Sequence, residues 1–240
     1  MFCKLVTSID TYYITLKNKT EIVVTGDGSH TLFNASLKET YHSTHGAVNE
    51  SMHVFIDKGF KQLSSNERRV LEVGFGTGLN ALLTCVASGE MQKVTWYQSF
   101  ELNPLQAGTI EKLNYPSLID SARAKDYFQQ IHDCPWNRWC KISPFFYLLK
   151  IKENILHSNL EDNQNIVYYD AFAPSKQPEL WSFGLIRKLY DALCPGGIIV
   201  TYTAKGEVRR NLIKAGFRVE KIPGPPGKRE MLRGFKDNKI

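Results

Sequence analysis

Three carboxylates and a run of glycines are the residues whose spacing could do chemistry. Glu72-Val73-Gly74-Phe75-Gly76-Thr77-Gly78 leads straight into an apolar stretch that begins Leu79-Asn80. Glycine lets a backbone turn tightly and approach a ligand where a Cβ would collide. The N-terminus of a helix following such a loop adds partial positive charge. Glu101 ends the segment VTWYQSFE, where a carboxylate can accept charge-assisted hydrogen bonds from both hydroxyls of a ribose. Asp170 opens Asp170-Ala171-Phe172-Ala173-Pro174. An acid there can orient an amine nucleophile and receive its proton, an effect of roughly 10²–10⁴-fold in rate. A free alkylamine loses its proton only near pH 10, and an Asp of ordinary pKa is a weak base for it. Asp170 equally suits a helix N-cap; Phe172 and Pro174 would shape a dry slot beside it, or simply pack.

The elements that must position these groups alternate. Arg69–Gly74 reads as a short buried strand, Leu79–Ala87 as an apolar helix that Gly89 ends, and Val94–Glu101 as a second strand. Asn103 and Pro104 open a helix expected to run to Leu113. Phe145–Ile151, Ile166–Asp170 and Gly197–Tyr202 are further strands, and Phe217–Ile222 with Glu230–Phe235 would complete the sheet. The segment SARAKDYFQQIHDCPWNRWC has little pattern. Strand–helix alternation implies an α/β fold, a Rossmann-like, seven-stranded, mostly parallel sheet with right-handed crossovers. Ligands bind such sheets beyond the carboxyl ends of the strands, which picks out Gly74–Asn80, Glu101, Asp170 and Tyr202. Residues 1–65 are expected to form a β-rich N-terminal extension, with the catalytic domain over 66–240. TYYITLKNKTEIVVT reads as a hairpin turning at LKNKT, and Asn34–Phe55 carries helical spacing.

A dinucleotide fingerprint would run G-x-G-x-x-G/A, but position 79 is leucine. The loop is G-x-G-x-G with an acid two residues before it, the pattern typical of class I methyltransferases that bind S-adenosyl-L-methionine (SAM). Four stretches between about residues 26 and 234 carry a more specific likeness: GDGSHTLFNASLKETYHSTHGAVNESMHVFI, RRVLEVGFGTGLNALL, DAFAPSKQPELW and TYTAKGEVRRNLIKAGFRVEKIPGPPGKREMLRG. On these the chain resembles the tRNA 5-aminomethyl-2-thiouridine methyltransferase family (MnmD, the methyltransferase half of bifunctional MnmC). The stretch from about 115 to 165 matches poorly.

The resemblance implies SAM-dependent methylation of an exocyclic amine on a tRNA wobble uridine, giving 5-methylaminomethyl-2-thiouridine. It implies Asp170 as the catalytic acid, Glu101 as the ribose acid, and Gly74, Gly76 and Gly78 as the glycine loop, with Glu72 and Asn80 beside it. Tyr41, His42 and Ser43 occupy a motif that would close over the cofactor. The partner would be the anticodon stem-loop of a tRNA, and no FAD domain is expected in this chain. Where this fold commonly carries an Asp for adenine, the chain has Lys152, Glu153 and Asn154.

Charge is compatible with such a partner. The net charge is +6, and Lys205–Lys236 holds ten Lys or Arg against three Glu. Lys205, Arg209, Arg210, Lys228 and Arg229 could hold tRNA phosphates, though Arg209 and Arg210 also suit the exposed face of a helix that buries Leu212 and Ile213. Trp136 and Trp139 with Arg138 could stack on bases or form a buried cluster. His42, His45 and His53 lack the spacing of a zinc cage, and the five cysteines are scattered, so no metal is expected. No apolar run reaches about 18 residues and the N-terminus lacks signal-peptide features, so the cytoplasm is the expected location. Two competitors stay open: a methyl- or aminopropyltransferase acting on a small amine, and an RNA-binding protein with a relic SAM fold.

Overall fold

The computed structural model describes residues 20–237. One eight-stranded sheet runs in the order β10-β11-β9-β8-β4-β5-β7-β6, with β4 Glu67–Val73, β5 Val94–Phe100, β6 Trp139–Ser143, β7 Phe146–Ile151, β8 Gln164–Tyr169, β9 Leu193–Thr201, β10 Arg218–Pro223 and β11 Glu230–Phe235. The five central strands pair in parallel. β10, β11 and β6 join antiparallel at the edges. β4 and β8 are buried along most of their length on both faces, as expected of strands covered by crossover helices.

Several sequence expectations are corrected. The sheet has eight strands, not seven, because the poorly patterned segment holds the Ala124–Asp133 helix and leads into an unexpected edge strand, β6. β6 hid because its pairing carries a bulge between Lys141 and Ser143, which breaks strict alternation. The Leu79–Met91 helix runs through Gly89 and ends at Gln92, whose φ of 52° makes the left-handed stop. Gly89 faces open space, so nothing in its surroundings forces an end there. The helix expected from Pro104 shrinks to Ala107–Ile110, leaving residues 101–106 as an open loop.

In the N-terminal block, β1 Thr20–Val24, β2 His30–Asn34 and β3 Glu39–Thr40 form a three-stranded antiparallel sheet. β1 thus pairs across the GDGS turn with β2; the TYYITL arm and most of the LKNKT turn lie outside the described residues. Helix begins only at Ala47 and passes into a π-helical stretch at Met52–Asp57. Leu32, Val54, Phe55, Ile56 and Phe60 pack in the same core as Val70, Leu82, Tyr168 and Met231. Burying them removes roughly 1.5–3 kcal/mol of exposure cost per large side chain. That shared core presses the YHS segment against the glycine loop.

Candidate active site

The carboxyl ends of β4, β5, β7 and β8 open into one cleft. Its walls include Tyr41, Gly74, Gly76, Asn80, Glu101, Asn154, Asp170 and Phe172. The loop turns back sharply because Gly74, Gly76 and Gly78 all have positive φ, at 93°, 50° and 75°. A Cβ on Gly74 would lie 2.7 Å from the Asp170 carbonyl oxygen, and one on Gly76 would press on the Tyr41 ring at 3.2 Å. Gly78 points away from the cleft, toward His132.

Glu101 sits at the end of β5 with one carboxylate oxygen accepting from the Gly76 amide at 3.1 Å and the other from the Asn103 amide at 2.8 Å. Burial raises its pKa against the pull of those backbone donors. Each oxygen keeps a lone-pair direction for a further donor.

Asp170 follows β8, and its Oδ2 accepts from the Asn80 side chain at 2.7 Å. The same Asn80 nitrogen donates to Glu72 at 3.0 Å, and Ser99 donates to the other Glu72 oxygen. Burial pushes Asp170 up to about 7, helped by the negative charge of Glu50 and opposed by Asn80 and Lys228. The sequence-based view of a weak base with ordinary pKa is therefore corrected. Burial likewise lifts Glu72 to about 8, with Ser99 and Asn80 opposing and Asp170 adding to the rise.

The remaining candidates separate. Glu72 is buried behind Asn80 and does not line the cleft. Tyr41 lines it and packs edge-on against Phe172, ring centroids 4.9 Å apart. Ser43 turns away: its amide donates to Glu50 at 2.7 Å and its hydroxyl accepts from His45. Its neighbour His42 reaches the cleft instead, bonded to Thr77 at 2.9 Å, and burial holds it down at about 4. Pro174 is not among the cleft residues. The loop before it is pinned by Tyr202 donating to Ala171, Trp181 donating to Phe172, and the Ala173 amide donating to Glu39.

Of the basic candidates, Lys205, Arg210 and Arg229 are exposed and Arg209 is half-buried. Lys228 is not a free surface cation, because it pairs with buried Glu50 at 2.5 Å. Trp136 packs on buried Phe75 against the core, whereas Trp139 packs on Trp96 and both of those rings stay half-buried, so the aromatic pair splits. Among the described residues no three His, Cys, Asp or Glu side chains cluster as a metal site. His53 bonds the Pro223 carbonyl oxygen.

A family model described as S-adenosyl-L-methionine-dependent methyltransferase matches residues 136–237. The bifunctional tRNA 5-methylaminomethyl-2-thiouridine biosynthesis protein MnmC of Azoarcus sp. (strain BH72) is 28% identical over 85% of this chain and 34% of its own length. That of Aeromonas salmonicida (strain A449) is 31% identical over 84% of the chain and 33% of its own length. The chain thus spans about a third of the curated relatives it matches. The crystal structure of MnmC2 from Aquifex aeolicus superposes with a TM-score of 0.76 at 23% identity, covering 99% of this chain and 80% of that one. The chain thus resembles SAM-dependent methyltransferases over residues 136–237 and the MnmC proteins over most of its length.

In a class I methyltransferase the cofactor is SAM, and the cleft residues fit it. Gly74 and Gly76 leave the space a Cβ would fill, and Glu101 has acceptor capacity to spare. At the place of the usual adenine acid, Glu153 accepts from Ser158 and Asn154 accepts from the Leu156 amide, so both side chains already hold their own loop. Sequence reading missed Glu50 as a neighbour of the site, whereas His42 lies in the motif expected to close over the cofactor. No local signal singles Glu50 out, because Asn49 and Ser51 beside it are polar too and only folding buries it.

Proposed function

We propose that this methyltransferase transfers a methyl group from SAM to the aminomethyl nitrogen of 5-aminomethyl-2-thiouridine at the wobble position of tRNA, in the cytoplasm. The product is 5-methylaminomethyl-2-thiouridine. The reading draws its substrate from the MnmC relatives, named for biosynthesis of that nucleoside. The observation that carries the chemistry is Asp170 at the cleft rim, raised to about 7 by burial and held by Asn80.

SAM supplies an electrophilic methyl group; the chain supplies alignment and a destination for a proton. Gly74, Gly76 and Glu101 are proposed to hold the cofactor, with Tyr41 and Phe172 walling off water near the reacting groups. The substrate nitrogen must present a free lone pair, and Asp170 accepts its hydrogen bond and then its proton. An acid near 7 matches neutral operating pH far better than one near 4, as general-base efficiency requires. Alignment of nucleophile and methyl contributes the rest. Lys205, Arg209, Arg210 and Arg229 are proposed to attract tRNA phosphates.

The test is methyl transfer from labelled SAM to tRNA carrying the aminomethyl group, followed by nucleoside analysis. The methylamino nucleoside should appear, and should be absent with tRNA that lacks the aminomethyl group. SAM binding without transfer to tRNA would instead promote a small amine as acceptor. Spermidine synthase from Thermotoga maritima shares the fold at a TM-score of 0.51 and 15% identity, which speaks to fold alone.

A further inference from the structure

The turn between β10 and β11 is docked on the N-terminal block at three points. Gly227, at φ 82°, lies so close to His45 that an added Cβ would collide with the imidazole ring. His53 bonds the Pro223 carbonyl oxygen at 2.9 Å. Between these contacts Lys228 reaches inward to Glu50, a side chain only 8% exposed. Both Glu50 oxygens are taken, one by Lys228 and the other by the Ser43 amide. The Lys228 ammonium also sits 4.1 Å from the centre of the Tyr202 ring, a cation–π contact strengthened by desolvation. Tyr202 in turn donates to the carbonyl of Ala171, the residue after Asp170.

A buried ion pair seldom stabilises a fold more than apolar residues of the same shape would. Here two chain segments distant in sequence have placed one where its charges act on the reacting carboxylate. We propose that Lys228, clasped between Glu50 and the Tyr202 ring, is a positioning residue that braces the loop after Asp170 and keeps a positive charge beside that carboxylate. The clasp rests on the reading of Asp170 as proton acceptor for an amine. A fixed cation favours the ionised carboxylate that can accept, and it disfavours an incoming ammonium relative to the neutral amine that can react. Glu50 sets the size of the effect by partly screening it.

The charged and titratable groups around Asp170 come from several elements: Glu72 on β4, Tyr97 on β5, Tyr202 just past β9, Glu50 from the N-terminal block, and Lys228 from the turn. Lys228 favours the Asp170 anion and Glu50 opposes it. Lys228→Met should therefore move the acid limb of activity to higher pH, and Glu50→Gln should move it to lower pH. Below the midpoint, each pH unit of movement reads as about a tenfold change in rate.

The experiment measures the Asp170 titration by carbon-13 NMR of aspartate-labelled protein, assigned with Asp170→Asn, alongside the pH–rate profile on aminomethyl tRNA and SAM affinity by calorimetry. Opposite midpoint shifts in the two variants, restoration by Lys228→Arg and unchanged SAM affinity are expected. An unmoved midpoint in Lys228→Met, whether or not tRNA binding weakens, overturns the proposal. Should Lys228→Met not fold, a Glu50→Gln midpoint that fails to fall overturns it equally. Wild-type protein inactive on tRNA would sink the functional reading instead, and the titration would still decide the clasp.

Discussion

Asn80 donates to Asp170 at 2.7 Å and, from the same nitrogen, to Glu72 at 3.0 Å. One neutral amide thus bridges buried Glu72 and Asp170 at the cleft, and its own oxygen is buried without a partner. Replacing Asn80 with Ala leaves both carboxyls short of a donor, at a cost of about 1–3 kcal/mol. Because Asn80 lowers the pKa of both acids, its loss should also carry the acid limb of activity to higher pH. Thermal unfolding and a pH–rate profile of Asn80→Ala check the two effects separately.

Asp170→Ala should slow methyl transfer by roughly 10²–10⁴-fold, while SAM affinity stays close to that of the wild type. With the carboxyl at about 7, wild-type activity should rise as pH climbs through that value. Full turnover by the variant in single-turnover assays would remove Asp170 from the chemistry.

Stability should depend on pH in an uncommon way. Asp170 and Glu72 are raised to about 7 and about 8, so between their unfolded values near 4 and those limits the folded protein holds more protons. Their contribution therefore weakens as pH rises. His42 and His132, both lowered to about 4 by burial, act oppositely: their contribution is present above about 6.5 and lost as pH falls. The two effects oppose each other between about 4 and 6.5, leaving a net fall from about 6.5 to 8. Glu72→Gln should flatten that fall, as melting temperatures across the range would reveal.

Gly76→Val asks a β-branched residue to hold φ 50° with its Cβ 3.2 Å from the Tyr41 ring, a conformation costing about 1–2 kcal/mol before any clash. SAM binding should fall at least about tenfold for each 1.4 kcal/mol lost at the loop. Calorimetric affinity equal to wild type would contradict the loop assignment.

Arg210→Ala and Arg229→Ala, at exposed positions, should weaken tRNA binding across sequences and shallow its salt dependence by about one unit of slope each. Filter binding over a range of salt concentrations reads this directly. An unchanged slope would place the tRNA on another face.

The glycine loop, Glu101, Asp170 and the alternation of strands were legible in the sequence, because each depends on neighbours within a few residues. A G-x-G-x-G run after an apolar strand can only turn back at the strand's carboxyl end, and acids ending the next strands must share that edge. Tertiary structure decided what the carboxylates are worth as acids. Burial, which no local pattern reports, lifts Asp170 to about 7 and Glu72 to about 8. Ser43, Glu72 and Lys228 carry site-like sequence signatures, yet folding turns Ser43 and Glu72 off the cleft and ties Lys228 to Glu50. The Glu50–Lys228 pair joins residues 178 positions apart, a separation at which only packing of the N-terminal block against the β10–β11 turn brings opposite charges together.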